Sequence, residues 1–370
     1  MNKATHAPDR MVLGIVLGLV CVGLLALTSA TSAVAFERFG DMYWFVKHQL
    51  FYGVLPGIVL LCITLRVPYV FWKKMAGILL WVSIGLLSLV FIPGIGADFG
   101  TAQSWVAIPG IGFSFQPAEI VKLTFLLYLA AWFENRREKD LKGFTTGFVP
   151  FLVSLGMVAL LILLQPDVGT MSVIVAIALT VYFVAGSPWP HLIGFGSLGV
   201  ALFFLLIRFA PYRAARFTTF LHPEFDPQGI GYHVNQALLA VGSGGLFGLG
   251  FGQSRQKFQY LPEVASDSIF AVMAEELGFL ISGAFIFVYA VLAYRLSVLA
   301  AGARDQFGQY VTVGVLAWVA FQAFVNIGAM LGLLPITGIP LPFVSYGGTS
   351  MVVLLGAVGI VLNISRYRTG

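Results

Sequence analysis

A few charged side chains stand in apolar surroundings at spacings that suit acid–base work. Glu119 and Lys122 are three residues apart in QPAEIVK, on one face of a helix. Two readings of the pair are open: a structural ion pair that neutralises two costly charges, or a pair lining a polar cavity. Asp267 opens an apolar helix after a stretch carrying Arg213, Arg216, Arg255 and Lys257. An N-cap is its local role, but a carboxylate beside cations in a partly desolvated pocket is also a candidate general base. The cations are candidates to hold an anionic substrate. Asp167 follows Gln165-Pro166 and precedes another helix, where an N-cap is again the local role. Glu275 and Glu276 are adjacent and point about 100° apart, so at most one shares a face with Asp267. One of the two, Glu276 in our assignment, reads as a supporting hydrogen-bond group in helix packing.

Other chemistries find no support. The glycines at 242, 244, 245, 248, 250 and 252 miss the dinucleotide spacing, because Phe247 stands where a glycine is needed, and no Gly-Lys-Ser/Thr follows. No nucleotide is therefore expected, and these glycines read as tight turns or close packing in a re-entrant segment. The five histidines have no metal spacing, and Cys21 and Cys62 lie in apolar runs as small core residues.

The elements that must position these groups are membrane helices. Of 370 residues, 59% are hydrophobic and 10% charged, with mean hydropathy +0.92. An ordinary soluble domain carries roughly 25% charged residues. This composition excludes a soluble enzyme, a disordered chain and a nucleic-acid binder. Uncharged runs long enough for the bilayer predict an all-α polytopic protein with about ten spans. They fall at about 11–35, 49–66, 75–94, 114–133, 147–164, 169–185, 190–208, 268–294, 308–332 and 345–365, in one domain over 1–370. A large outer loop, about 209–266, joins helices 7 and 8. The first span is too long for a signal peptide and reads as an uncleaved helix. Thirteen of the 21 Lys+Arg residues fall on the connections that include both ends of the chain, which predicts cytoplasmic termini. The long loop then faces outside, as do the stretches at 94–113 and 334–344.

Four strings in order carry a family resemblance: QPAEIVKL (116–123), QPDVGT (165–170), GYHVNQALLAVGSGGLFGLGFGQSRQKFQYLPEVASDSIFAVMAEELGF (231–279) and LPITGIPLPFVSYGGTS (334–350). The chain resembles the SEDS family (shape, elongation, division and sporulation), whose branches include FtsW and RodA. Residues 35–50 look more like the FtsW branch. The resemblance implies a peptidoglycan glycosyltransferase in the bacterial cytoplasmic membrane, which polymerises lipid II at the outer face for division or elongation. It also implies a class B penicillin-binding protein as partner. The family's essential aspartate falls on Asp267, and its functional acid and base fall on Glu119 and Lys122.

The expected chemistry is an inverting displacement from an undecaprenyl-pyrophosphate donor. Asp267 serves as base, and Arg213, Arg216, Arg255 and Lys257 are candidates for the departing charge, with a divalent cation (Mg or Mn) as a further one. The competing readings are a lipid II flippase and a non-catalytic scaffold for the transpeptidase.

Overall fold

The computed structural model describes residues 6–94, 96–99, 102–108, 113–209, 219–220 and 229–368. Helix α1 (Arg10–Phe39) starts where Asp9 Oδ1 accepts from the Val12 N–H and stops where Gly40 turns left-handed at φ 68°. A second rod begins as α2 (Trp44–Gln49), passes through a π-helical turn at Leu50–Val54 and continues as α3 (Leu55–Arg66). It starts about five residues before the expected span. Helix α4 (Tyr69–Leu89) also starts early and takes in two lysines, because Lys73 reaches Glu134 at 2.5 Å.

The outer stretch at 94–113 is not a plain loop. It forms an antiparallel sheet of β1 (Gly96–Phe99), β2 (Ala102–Ile108) and β3 (Phe113–Phe115) in that order, with Val106 paired to both Gly96 and Phe115. The sheet delivers the chain to α5 (Pro117–Glu134), whose proline sits at the first position, where a missing N–H costs nothing. After α6 (Glu138–Lys142) and a π turn at Phe144–Phe148 come α7 (Val149–Leu163), α8 (Val168–Val184) and α9 (Trp189–Phe209). Within the long connection lies α10 (Ile230–Ser243). Helices α11 (Ile269–Ala301), α12 (Gln306–Met330) and α13 (Gly348–Ser365) complete the chain.

A helical rod overlaps each expected segment, and among the described residues seven rods are long and apolar enough to cross a membrane. They are not equivalent. In their most apolar stretches α12 is 72% and α13 78% buried, against 17% for α4. Helices α12 and α13, with α5 packed on both, form the centre. The other rods turn apolar side chains outward, as lipid-facing helices must.

Helix α11 is broken. Gly278 has φ 75° and ψ 179°, which strands carbonyls before it and N–H groups after it. The glycine-rich segment fills the gap with its own backbone. Leu249 and Gly250 donate to the carbonyls of Glu275 and Glu276, and Phe279 and Leu280 donate to those of Gly245 and Leu246, at 2.9–3.2 Å. A Cβ on Gly244, Gly248 or Gly278 would overlap the facing backbone, so close packing accounts for these glycines.

Candidate active site

Asp267 lies in the turns that lead into α11 and is only 6% exposed. Its position is fixed by the segment between α12 and α13. Pro340 and Pro342 prevent a helix there, so the carbonyls of 339–342 need outside donors. Asn326 Nδ2 donates to the Ile339 carbonyl at 2.8 Å, Gln322 Nε2 to Pro340 at 2.8 Å and the Tyr289 hydroxyl to Pro342 at 2.6 Å. The same Asn326 Nδ2 donates to the Asp267 carbonyl at 2.9 Å. Because both of its acceptors are carbonyls, the amide orientation is settled. One residue back, the Ser345 hydroxyl donates to Ser266, and before it the Tyr346 N–H donates to Ala265 at 2.8 Å. On the other side, His233 Nε2 of α10 lies 2.7 Å from the hydroxyl of fully buried Ser268. Asp267 and Asn326 together line a narrow crevice walled by Met330, Thr337 and Gly338.

Glu119 and Lys122 form a 2.6 Å ion pair on α5, with side chains 3% and 1% exposed. Lys122 also donates to Gln322 Oε1 at 3.3 Å and lies 5.1 Å from the centre of the Trp318 ring. Trp318 Nε1 donates to the same oxygen at 2.8 Å. Glu119 Oε2 is buried and accepts no hydrogen bond. One turn earlier, Gln116 Nε2 donates to Asp167 Oδ2 at 2.8 Å, while Asp167 Oδ1 accepts from the Thr170 N–H and caps α8. Gly169 packs against the Thr337 carbonyl. The irregular ends at 115–122, 164–170 and 334–344 thus converge on α12. Gln116 joins Asp167 to the helix turn that carries Glu119 and Lys122, while on α12 Gln322 meets Lys122 and Asn326, one turn on, meets the Asp267 carbonyl.

Of the four expected cations, the structure describes Arg255 and Lys257. Arg213 and Arg216 lie outside the described residues. Lys257 is buried, and its ammonium donates to Glu276 at 3.0 Å, to the Gly252 carbonyl at 2.7 Å and to Ser29 Oγ at 3.2 Å. It therefore serves the fold rather than presenting a charge to a substrate. Arg255 alone of the described pair is exposed. Glu275 accepts from Ser254 Oγ at 2.5 Å and from the Arg255 N–H at 3.0 Å, and Glu276 accepts from Ser29 Oγ at 2.6 Å. Glu275 holds residues 254–256 against α11, and Glu276 ties Ser254 and Lys257 to Ser29 of α1.

Sequence reasoning missed Gln322, Asn326, Ser345 and His233. The available signal was Gln322 and Asn326 themselves, two amides four residues apart in an otherwise uncharged run, hence on one helix face.

Comparison with known proteins settles the family. The family described as "Cell cycle protein" (FtsW/RodA/SpoVE) matches residues 9–370. The chain is a SEDS-family protein. It is 41% identical over 368 residues to stage V sporulation protein E of Bacillus subtilis (strain 168), covering 99% of each. It is 37% identical to a probable peptidoglycan glycosyltransferase FtsW of Geobacter sp. (strain M18), covering 98% of each. A SEDS-like fold also appears in solved structures. A chain of a peptidoglycan synthase complex, described for its structural coordination of polymerization and crosslinking, superposes with TM-score 0.81 at 28% identity over 98% of both chains. The crystal structure of Thermus thermophilus RodA gives 0.71 at 28% identity, again over 98% of both. As a SEDS protein it is a multi-pass membrane protein.

Proposed function

We propose that this chain is a peptidoglycan glycosyltransferase that polymerises lipid II at the outer face of the cytoplasmic membrane. The observation that carries the reading is the placement of Asp267: a buried carboxylate at a helix start, clamped through its own carbonyl by the helix that also holds Lys122, and through two neighbours by Ser345 and Tyr346. The names of its relatives, probable peptidoglycan glycosyltransferases, support the reaction class. In this mechanism Asp267 accepts the proton of the 4-hydroxyl of the acceptor glucosamine. That oxygen bonds to the anomeric carbon of the donor muramyl unit with inversion, and undecaprenyl pyrophosphate leaves with the electron pair of the broken C–O bond. The Glu119–Lys122 pair, held by Gln322, keeps charge in the centre of the bundle and fixes α5 against α12.

Among the described residues no three His, Cys, Asp or Glu side chains converge to hold a metal. Among the described residues Asp267 is the single carboxylate in the crevice wall, with Asn326 as a neutral neighbour. These residues suit a Mg²⁺ or Mn²⁺ held mainly by substrate phosphates, which needs only one or two protein carboxylates, and not a dedicated cage. Such an ion would neutralise charge on the departing pyrophosphate.

Both chain ends face the cytoplasm in this reading, and a cross-linking partner of the class B penicillin-binding type acts beside it. The coupling of polymerization to crosslinking in the solved synthase complex supports that partner. The FtsW and SpoVE names among relatives at 36–41% identity support a role in division or sporulation walls over elongation. The test is purified protein with lipid II in detergent, with and without its partner, read for glycan strands. Strands formed with no bilayer to cross exclude an obligate flippase and a mere scaffold. No strands even with the partner present contradict the proposal.

A further inference from the structure

We propose that the end of the bundle opposite Asp267 carries a binding site for a phosphate group. The segment before α1, the later turns of α11 and the end of α13 close round a cavity of about 350 Å³. The 18 residues of α13 put it roughly 27 Å from the segment that clamps Asp267, at 1.5 Å per residue. Its wall holds His6, Arg10, Arg295 and Arg368 against one carboxylate, Asp9.

That carboxylate is already engaged. Its Oδ1 accepts from the Val12 N–H at 2.9 Å, and its Oδ2 accepts from Arg295 Nε and Nη2 at 3.0 and 2.6 Å. The fork aims Arg295 and leaves the wall with a surplus of positive charge. The walls are tied to each other. The Asp9 N–H donates to Ser365 Oγ at 3.1 Å, and the His6 N–H donates to the Arg366 carbonyl at 3.1 Å. Arg368 supplies the independent sign of a missing ligand: its Nε is buried and has no acceptor. A buried donor left unpaired is costly, and a phosphate oxygen would satisfy it. Guanidinium forks match phosphate geometry, and basic pockets between helices at a membrane edge suit phospholipid head groups. The shared ligand chemistry is a phosphate oxyanion, carried either by an anionic phospholipid or by a soluble phosphate.

The experiment is thermal unfolding of the full-length protein in detergent, titrated separately with phosphatidylglycerol, phosphatidylcholine and inorganic phosphate. Arg368→Gln and Arg10→Gln are compared with wild type, and neither touches the polymerisation site. The expected result is a saturable rise in Tm with phosphatidylglycerol or with inorganic phosphate. The concentration needed should rise at least tenfold in Arg368→Gln, whose own Tm without ligand does not fall. A response to phosphatidylglycerol alone assigns the site to lipid, and a response to phosphate as well assigns it to any phosphate. The proposal is overturned if neither ligand gives a saturable shift, if phosphatidylcholine matches phosphatidylglycerol, or if both variants respond as wild type does. The readout is independent of glycan synthesis, so it stands whether or not the chain polymerises lipid II.

Discussion

Gln322 and Asn326 stand four residues apart on α12, and between them they hold both halves of the candidate active site. Gln322 accepts from Lys122 and donates to Pro340, and Asn326 donates to Ile339 and to Asp267. Asn326→Leu removes both donations and leaves two buried carbonyls without a partner, at about 1–3 kcal/mol each. We expect a lower unfolding temperature together with a large loss of glycan synthesis, while lipid II binding is retained. Wild-type synthesis by Asn326→Leu would show that the Asp267 loop holds itself.

Glu119 and Lys122 are coupled. Removing one partner of a buried pair leaves an uncompensated charge and costs about 3–5 kcal/mol. Glu119→Gln and Lys122→Met should each destabilise the protein strongly, and the double variant should lose much less than the sum of the two. Chemical unfolding of all four proteins reads this directly. Additive losses would mean that the 2.6 Å contact carries no energy.

Lys257 and Arg255 should separate. Lys257→Met strands Glu276 between α11 and α1, so its main effect is on stability, at about 3–5 kcal/mol. Arg255 is exposed, and Arg255→Gln should stay within about 0.5 kcal/mol of wild type in stability. Any slowing of polymerisation by Arg255→Gln then reports contact with the substrate charge. An unfolded Arg255→Gln protein beside a stable Lys257→Met protein would reverse the assignment.

Much of this arrangement was legible in the sequence, and the rest was hidden for definable reasons. Uncharged runs located the long helices, because the bilayer sets their length. The charged positions 119, 122 and 267 stood out because charge is scarce. The onset of α4 was placed too late, because Lys73 finds Glu134 in space and so can lie inside a helix. Lys257 looked like a substrate cation for the same reason: its partner Glu276 is close in the fold but not within one helical turn. The sheet at 96–115 left no clean alternation to read. The break at Gly278 is made by backbone bonds to 245–250, which no side-chain pattern records. Gln322 and Asn326 escaped notice because they are neutral, although their hydrogen bonds organise the site.

Asp9 gives a pH-dependent contribution. Burial alone would raise its pKa, but the hydrogen bonds from Arg295 and the Val12 N–H hold it below the ordinary carboxylate value. A carboxyl depressed in the folded state stabilises the protein above its unfolded pKa of about 4, and the contribution fades as pH falls through the folded value. Wild type should therefore lose its advantage over Asp9→Asn below about pH 4 and keep it, at about 1–3 kcal/mol, at pH 7. A constant difference across that range would show that Asp9 acts only as a neutral cap.

The central claim is that Asp267 takes the acceptor proton. Asp267→Asn keeps the size of the side chain and the carbonyl that Asn326 holds, and it removes the base. Purified Asp267→Asn protein, with its partner and lipid II, should fold and bind substrate as wild type does, and glycan strand formation should drop about 10²–10⁴-fold. Strands appearing at the wild-type rate from folded, substrate-binding Asp267→Asn protein would contradict the account.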